Sequence, residues 1–192
     1  SVADPTLTFV LLRANKDLAF LSSTLGLPTD EIDQWCRTLE MGCASLRNPE
    51  TKHFNAINLR SGEHTGHLTS ASFLCWYAGM GDKSMLDLLK NTLQDTLYPI
   101  PSLDKNSSKF DGLRYWRGPT WPILNALIGL GLSDMGHEKE AETIRSRTRE
   151  LISRHGFAEY FDPITGIPGG GKAFSWTAAV WLAWASPSFG AK

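Results

Sequence analysis

Glu159 is the acidic residue whose neighbours best suit catalysis. It lies in the run FAEYFDPITG between Phe157 and the pair Tyr160-Phe161. A glycine-rich stretch follows (Gly166, Pro168, Gly169, Gly170, Gly171), and then Trp176, Trp181 and Trp184. A carboxylate can take a proton from a water or a hydroxyl, and aromatic rings stack on the apolar faces of sugars. The pattern suits a polyhydroxylated substrate, with Tyr160 and Trp176 as candidate sugar contacts. The same residues also fit a plain helix–turn–helix corner, with the rings in the core and Glu159 in water.

A second block runs from Arg114 to Gly131, RYWRGPTWPILNALIGLG. Tyr115, Trp116, Arg117, Gly118 and Trp121 cluster at the entrance of an apolar helix. Pro119 is tolerated there because a first-turn N–H has no partner to lose. Loops at helix mouths are where binding groups sit on a rigid scaffold. Trp116 and Trp121 read as walls of a sugar subsite or as core. Asn125, one turn into the helix, needs hydrogen-bond partners if buried.

YWRGPTW, the helix bearing Asn125, FAEYFDPITG and FSWTAA together resemble the C-terminal part of glycoside hydrolase family 63. Its mannosylglycerate-hydrolase-like and α-glucosidase-like bacterial members are the nearest in look. The match runs in order from about Asp4 to Trp184, specific in the two blocks and generic elsewhere. The resemblance implies an inverting α-glycosidase for a glucosyl or mannosyl substrate, with no cofactor or metal. It puts the general base at Glu159, and the residues around the two blocks, Tyr115, Trp116, Arg117, Gly118, Trp121, Tyr160 and Trp176, are the candidate substrate contacts.

Inversion needs a second carboxyl group roughly 6.5–9.5 Å away. In the family this is an Asp on an earlier helix, in a tryptophan-rich segment that no stretch here matches. Asp111 is the other acid beside a site block, and it reads first as an N-cap or as a partner of Arg114 or Arg117. Arg117 could clamp a carboxylate bidentately, either Glu159 or an acidic substrate group such as glycerate, or form an ion pair at the helix mouth.

Composition narrows the classes. The chain has 192 residues and a formal charge of −1, which gives no electrostatic case for nucleic acid or an anionic membrane. No apolar run reaches the roughly 20 residues that span a bilayer. Cys36, Cys43 and Cys75 form no C-x-x-C pair and sit in apolar segments, so they read as buried thiols. No signal peptide is recognisable, which makes a cytoplasmic location the expectation.

The elements that must position these blocks are helical. Asp4-Pro5 reads as an N-cap and first helical residue. Leu7, Val10, Leu11, Ala14, Leu18, Leu21 and Leu25 then predict one buried face, and Gly26 supplies a stop. Asp30 and Glu31 open a second helix with the stripe Ile32, Trp35, Cys36, Leu39, Cys43 and Leu46. Residues 51–66 alternate as a short strand or extended loop. His64 and His67 read as a loop pair, since no Asp, Glu or Cys completes a metal set.

Further helices are expected over 68–80, 85–98, 119–136, 138–155 and 176–184. The helix over 138–155 is an outer one, with the narrow stripe Ala141, Ile144, Thr148 and Leu151. Amphipathic helices alternate with wholly apolar ones, as two layers of antiparallel hairpins would require. The fold class is therefore all-α, and the resemblance makes it an (α/α)6 toroid. Only about seven helices can be counted, too few to close a ring of six hairpins. Residues 1–192 are expected to be a single domain, the C-terminal portion of a catalytic domain. An extended apolar surface should then be bare, or covered by the missing N-terminal part or another copy. Two functions remain open: the base-bearing part of a glycosidase, or a non-catalytic carbohydrate-binding or scaffold fragment of one. An all-α interaction module, with both blocks as packing, is a weaker third.

Overall fold

The computed structural model describes residues 1–188. The first helix, α1 (Pro5–Thr24), starts where Asp4 accepts hydrogen bonds from the Thr6 and Leu7 amides at 2.8 and 3.3 Å. Gly26, in the left-handed region at φ 69°, lets the chain turn back. Helix α2 (Asp30–Ser45) carries Asp30, Glu31 and Asp33 in its first turn, where negative charge meets the positive end of the helix dipole. The two pack as an antiparallel hairpin, joined by a Lys16–Glu40 ion pair at 2.9 Å.

The buried face of α1 is not the expected one. Phe9 and Leu12 go inward, Phe9 edge-on to Phe54 at 5.0 Å, whereas Leu7, Leu11, Leu18, Leu21 and Leu25 stay exposed. Leu7 and Leu25 are 74% and 73% accessible. Periodicity reports that a helix has an apolar flank but not which neighbour covers it. α1 has two such flanks, and this chain covers one.

A two-residue strand β1 (Val2–Ala3) pairs antiparallel with β2 (Ile57–Asn58), within the segment that alternates. The long helix expected over 68–80 is mostly absent. Only α3 (Ser70–Phe73) is regular, and the chain then tightens into i→i−3 bonds, Leu74 to Ala71 and Trp76 to Phe73. The cause lies across the core. A Cβ on Gly131 would sit 2.3 Å from the Trp76–Tyr77 peptide, so a neighbouring helix presses directly on this backbone.

That neighbour is α5 (Pro122–Asp134), reached after α4 (Lys83–Asp95), whose N-cap Asp82 accepts from the Met85 amide at 2.9 Å. α5 is apolar on nearly every side and forms an inner hairpin arm against the outer α6 (Glu138–His155). In α6 the stripe Ala141, Ile144, Thr148 and Leu151 is buried, as its spacing requires. After α6 come β3 (Tyr160–Phe161) and β4 (Pro168–Gly169), a small antiparallel pair. Helix α7 (Ser175–Val180) follows and continues as a π-helical turn over Trp181–Ala185. Gly129 of α5 makes room for Trp184, whose ring would lie 2.4 Å from an added Cβ.

The result is all-α: helical hairpins in two layers, with strands of two residues at most among the described residues. No helix there is long and apolar enough to cross a membrane. The three cysteines are free. Burial pushes the Cys43 thiol up to about 11 and Cys75 higher still.

Candidate active site

Four loops meet side by side at one end of the helical layers. Isolated bridges join Thr69 to Leu103, Pro101 to Thr120, and Thr120 to Phe161. The last of these ties the two sequence blocks together. The Thr120 amide donates to the Phe161 carbonyl at 2.8 Å and the Phe161 amide returns a bond at 3.0 Å. The buried Thr120 hydroxyl donates to the Pro99 carbonyl. It also accepts from Asn125 Nδ2 at 3.2 Å, and the same amide group reaches Thr148 at 3.1 Å. Asn125 thus satisfies its NH2 group inside the core, whereas its buried Oδ1 has no partner among the described residues. Gly118 is buried because its backbone lies against Asp111, where a Cβ would fall 2.4 Å from the carbonyl oxygen. Its amide donates to Ser102 Oγ at 3.0 Å.

Above this junction the rings gather. Trp116 stacks on Trp121 with centroids 4.0 Å apart and planes 6° from parallel. Tyr115 stands edge-on to Trp116, Trp121 and Tyr160 at 5.9, 5.2 and 5.8 Å. Tyr160 also meets Trp121 at 5.2 Å. Tyr115 has φ 46°, a strained value for a residue with a Cβ. Its carbonyl accepts from Trp121 Nε1 at 3.1 Å, which helps to hold it there. Trp121 is buried, whereas Tyr115 and Trp116 are about half exposed. Trp116 also borders a cleft of about 370 Å³ lined by Asp4, Thr6, Thr69, Ser70 and Ser102.

Glu159 is half-buried on the connection from α6 to β3. Thr177 Oγ1 anchors the preceding residue by donating to the Ala158 carbonyl at 2.7 Å. The Phe174 amide donates to the Phe157 carbonyl at 2.8 Å. Glu159 Oε2 accepts from the Gly171 amide at 3.2 Å, and Oε1 takes no hydrogen bond among the described residues. The next residue, Tyr160, carries the chain into the aromatic cluster. A half-buried carboxylate with one oxygen held by an amide and the other open can accept a proton from a water.

Other candidates lie apart. Arg117 is exposed and donates from Nε and Nη2 to the Lys109 carbonyl at 3.3 and 3.1 Å. It makes no ion pair among the described residues, so neither the Glu159 clamp nor a helix-mouth ion pair forms. Trp176, also exposed, packs on Phe174 at 5.6 Å and has no ring contact with the cluster. Asp111 closes its own loop by accepting from the Leu113 amide at 3.2 Å, while its amide donates to the Arg117 carbonyl at 2.8 Å. His67 Nε2 lies 3.1 Å from Lys109 Nζ. No group of three metal-ligating side chains occurs among the described residues. Thr120 was not foreseen as a hub, since a lone threonine in a loop carries no periodic signal.

Residues 1–177 match the family model described as "Mannosylglycerate hydrolase MGH1-like glycoside hydrolase domain". The chain belongs to this family. The mannosylglycerate hydrolase MGH1 of Selaginella moellendorffii is 35% identical over 189 residues, 95% of this chain and 39% of that protein. A mannosylglycerate hydrolase of Thermus thermophilus is 35% identical over 187 residues, 95% of this chain and 45% of the relative. The crystal structure of a GH63 mannosylglycerate hydrolase from Thermus thermophilus in complex with glucose superposes with a TM-score of 0.88 at 35% identity. That alignment covers 94% of this chain and 47% of the crystallised one. The chain therefore spans less than half the length of these relatives, and its helical fold is a partial (α/α)6 toroid.

Proposed function

We propose that this chain is the base-bearing, C-terminal portion of an inverting α-glycosidase that hydrolyses mannosylglycerate or its glucosyl counterpart. Residues 1–192 form one domain in this reading. The observation that carries it is the Thr120–Phe161 bridge, which joins the Glu159 connection to the Tyr115, Trp116 and Trp121 cluster.

Tyr115, Trp116, Trp121 and Tyr160 offer apolar ring faces to the sugar. Gly118 supplies the close backbone turn beneath them. Glu159 Oε1 takes a proton from a water as the water oxygen attacks the anomeric carbon. The glycosidic C–O bond breaks, and a general acid from outside this chain protonates the leaving oxygen. Arg117 and Trp176 sit near enough in sequence to these blocks to touch the acidic aglycone or an outer sugar once the rest of the ring is present. The products are the free sugar with inverted anomeric configuration and the released glycerate.

One observation favours the second reading, a carbohydrate-binding or scaffold piece. The chain spans less than half of its relatives, and no stretch of its sequence resembles the family's tryptophan-rich segment that bears the general acid. The test is hydrolysis of mannosylglycerate and glucosylglycerate by the full-length protein and by Glu159→Gln. The substitution should leave the melting temperature nearly unchanged and reduce kcat by roughly 100-fold or more. A Glu159→Gln protein that turns over substrate at the parental rate would remove Glu159 as the base. A full-length protein that binds sugar without hydrolysing it would establish the second reading.

A further inference from the structure

The hairpin carrying Glu159 breaks register beside the carboxylate. Tyr160 pairs with Gly169 and Phe161 with Pro168, so a regular ladder would next oppose Glu159 and Gly170. Instead the Glu159 amide donates to the Gly171 carbonyl at 2.9 Å, and the Gly171 amide donates to Glu159 Oε2 at 3.2 Å. Gly170 is left over as the extra residue of a bulge, at φ 70°. Bulges of this kind re-aim a side chain.

Space at Gly170 is closed as well. A Cβ there would lie 2.4 Å from Glu159 Oε2, 2.8 Å from Glu159 Cβ and 2.9 Å from the Tyr160 ring. Backbone conformation and contact both require glycine. Gly166 has the same conformation in the same loop, φ 77°, but an added Cβ there would meet His155 and Tyr98 instead.

We propose that Gly170 is a positioning residue for Glu159. Its missing side chain lets the loop close onto the carboxylate, and the Gly171 amide then fixes Oε2 by a charge-assisted bond. Oε1 is thereby presented to the attacking water. This rests on Glu159 being the base.

The test compares Gly170→Ala, Gly166→Ala and Glu159→Gln in the full-length protein. Gly170→Ala should lower kcat roughly 10- to 100-fold through misplacement of the base, with KM within about threefold. Gly166→Ala should lose stability but keep kcat within about twofold. Equal effects of the two alanines on kcat would overturn the proposal while leaving Glu159→Gln to decide the base. An unaffected Glu159→Gln would overturn both. If Gly170→Ala does not fold, the Gly171 amide resonance decides. It should be protected from solvent exchange in the parent protein and lose that protection in Glu159→Ala, which removes the acceptor. A Gly171 amide that exchanges equally fast in both would overturn the proposal.

Discussion

His53 is the buried histidine of the described residues, and its surroundings fix its charge state. The Asn55 side chain accepts from Asn48 Nδ2 at 3.0 Å and donates to the His67 carbonyl at 2.9 Å, which orients its amide. The NH2 end therefore faces His53 Nδ1 at 2.9 Å, so that nitrogen is an acceptor and the ring is neutral. Burial is the main cause that lowers the His53 pKa from its ordinary 6.5. The unfolded chain then binds the proton more readily than the folded one. Its contribution is complete above the unfolded value and is lost as pH falls below it towards the folded value. Urea midpoints measured between pH 7.5 and pH 5 should fall, and His53→Gln should flatten that slope. An equally steep slope in His53→Gln would assign the loss to other groups.

At the scale of elements, glycines decide how closely helices approach. Gly131 of α5 touches the Trp76–Tyr77 backbone, whereas Gly42 of α2 has nothing within 4 Å of an added Cβ. Gly42→Ala should stabilise the protein by about 0.5–1 kcal/mol through helix propensity alone. Gly131→Ala, the same change in another helix, should destabilise by about 1–3 kcal/mol because peptide atoms cannot move aside like a flexible side chain. Thermal melts of the two variants would read the opposite signs directly. This contrast also marks what the sequence could tell. The stripe of α6 and the caps Asp4 and Gly26 were legible because each depends on residues close in the chain. The broken helix after Phe73 was not, because its cause, Gly131, lies far along the chain. Among the candidate site residues, Glu159, Tyr115, Trp116, Trp121 and Tyr160 stood out by type and spacing. Thr120 and Gly170 act through partners that only folding brings near, and Arg117 turned out to brace a loop carbonyl.

At the scale of the whole molecule, α1 leaves one flank of leucines bare among the described residues. Leu7, Leu11, Leu18, Leu21 and Leu25 are exposed, and Leu182 beyond α7 is 77% accessible. Large apolar side chains exposed along one helix mark a contact surface. In the proposed enzyme they are where the other half of the ring would sit. The isolated chain should self-associate and bind a hydrophobic dye. Leu11→Glu with Leu18→Glu should suppress both without lowering its melting temperature. In the full-length protein the same pair should destabilise, because it would bury two unpaired charges. A monodisperse isolated chain that ignores the dye would count against the half-ring reading.

The Thr120–Phe161 bridge has a kinetic side. Its two partners are separated in sequence by the entire α5–α6 hairpin, so the pairing carries a long-loop closure cost that the hairpin must offset first. The carboxylate connection and the ring cluster therefore cannot be assembled separately. They should gain and lose protection from solvent deuterium as one cooperative unit. Exchange at the Thr120 and Phe161 amides should follow the α5–α6 hairpin rather than the neighbouring surface loops. If Phe161 exchanged freely while α5 stayed protected, the two halves of the candidate site would be independently mobile.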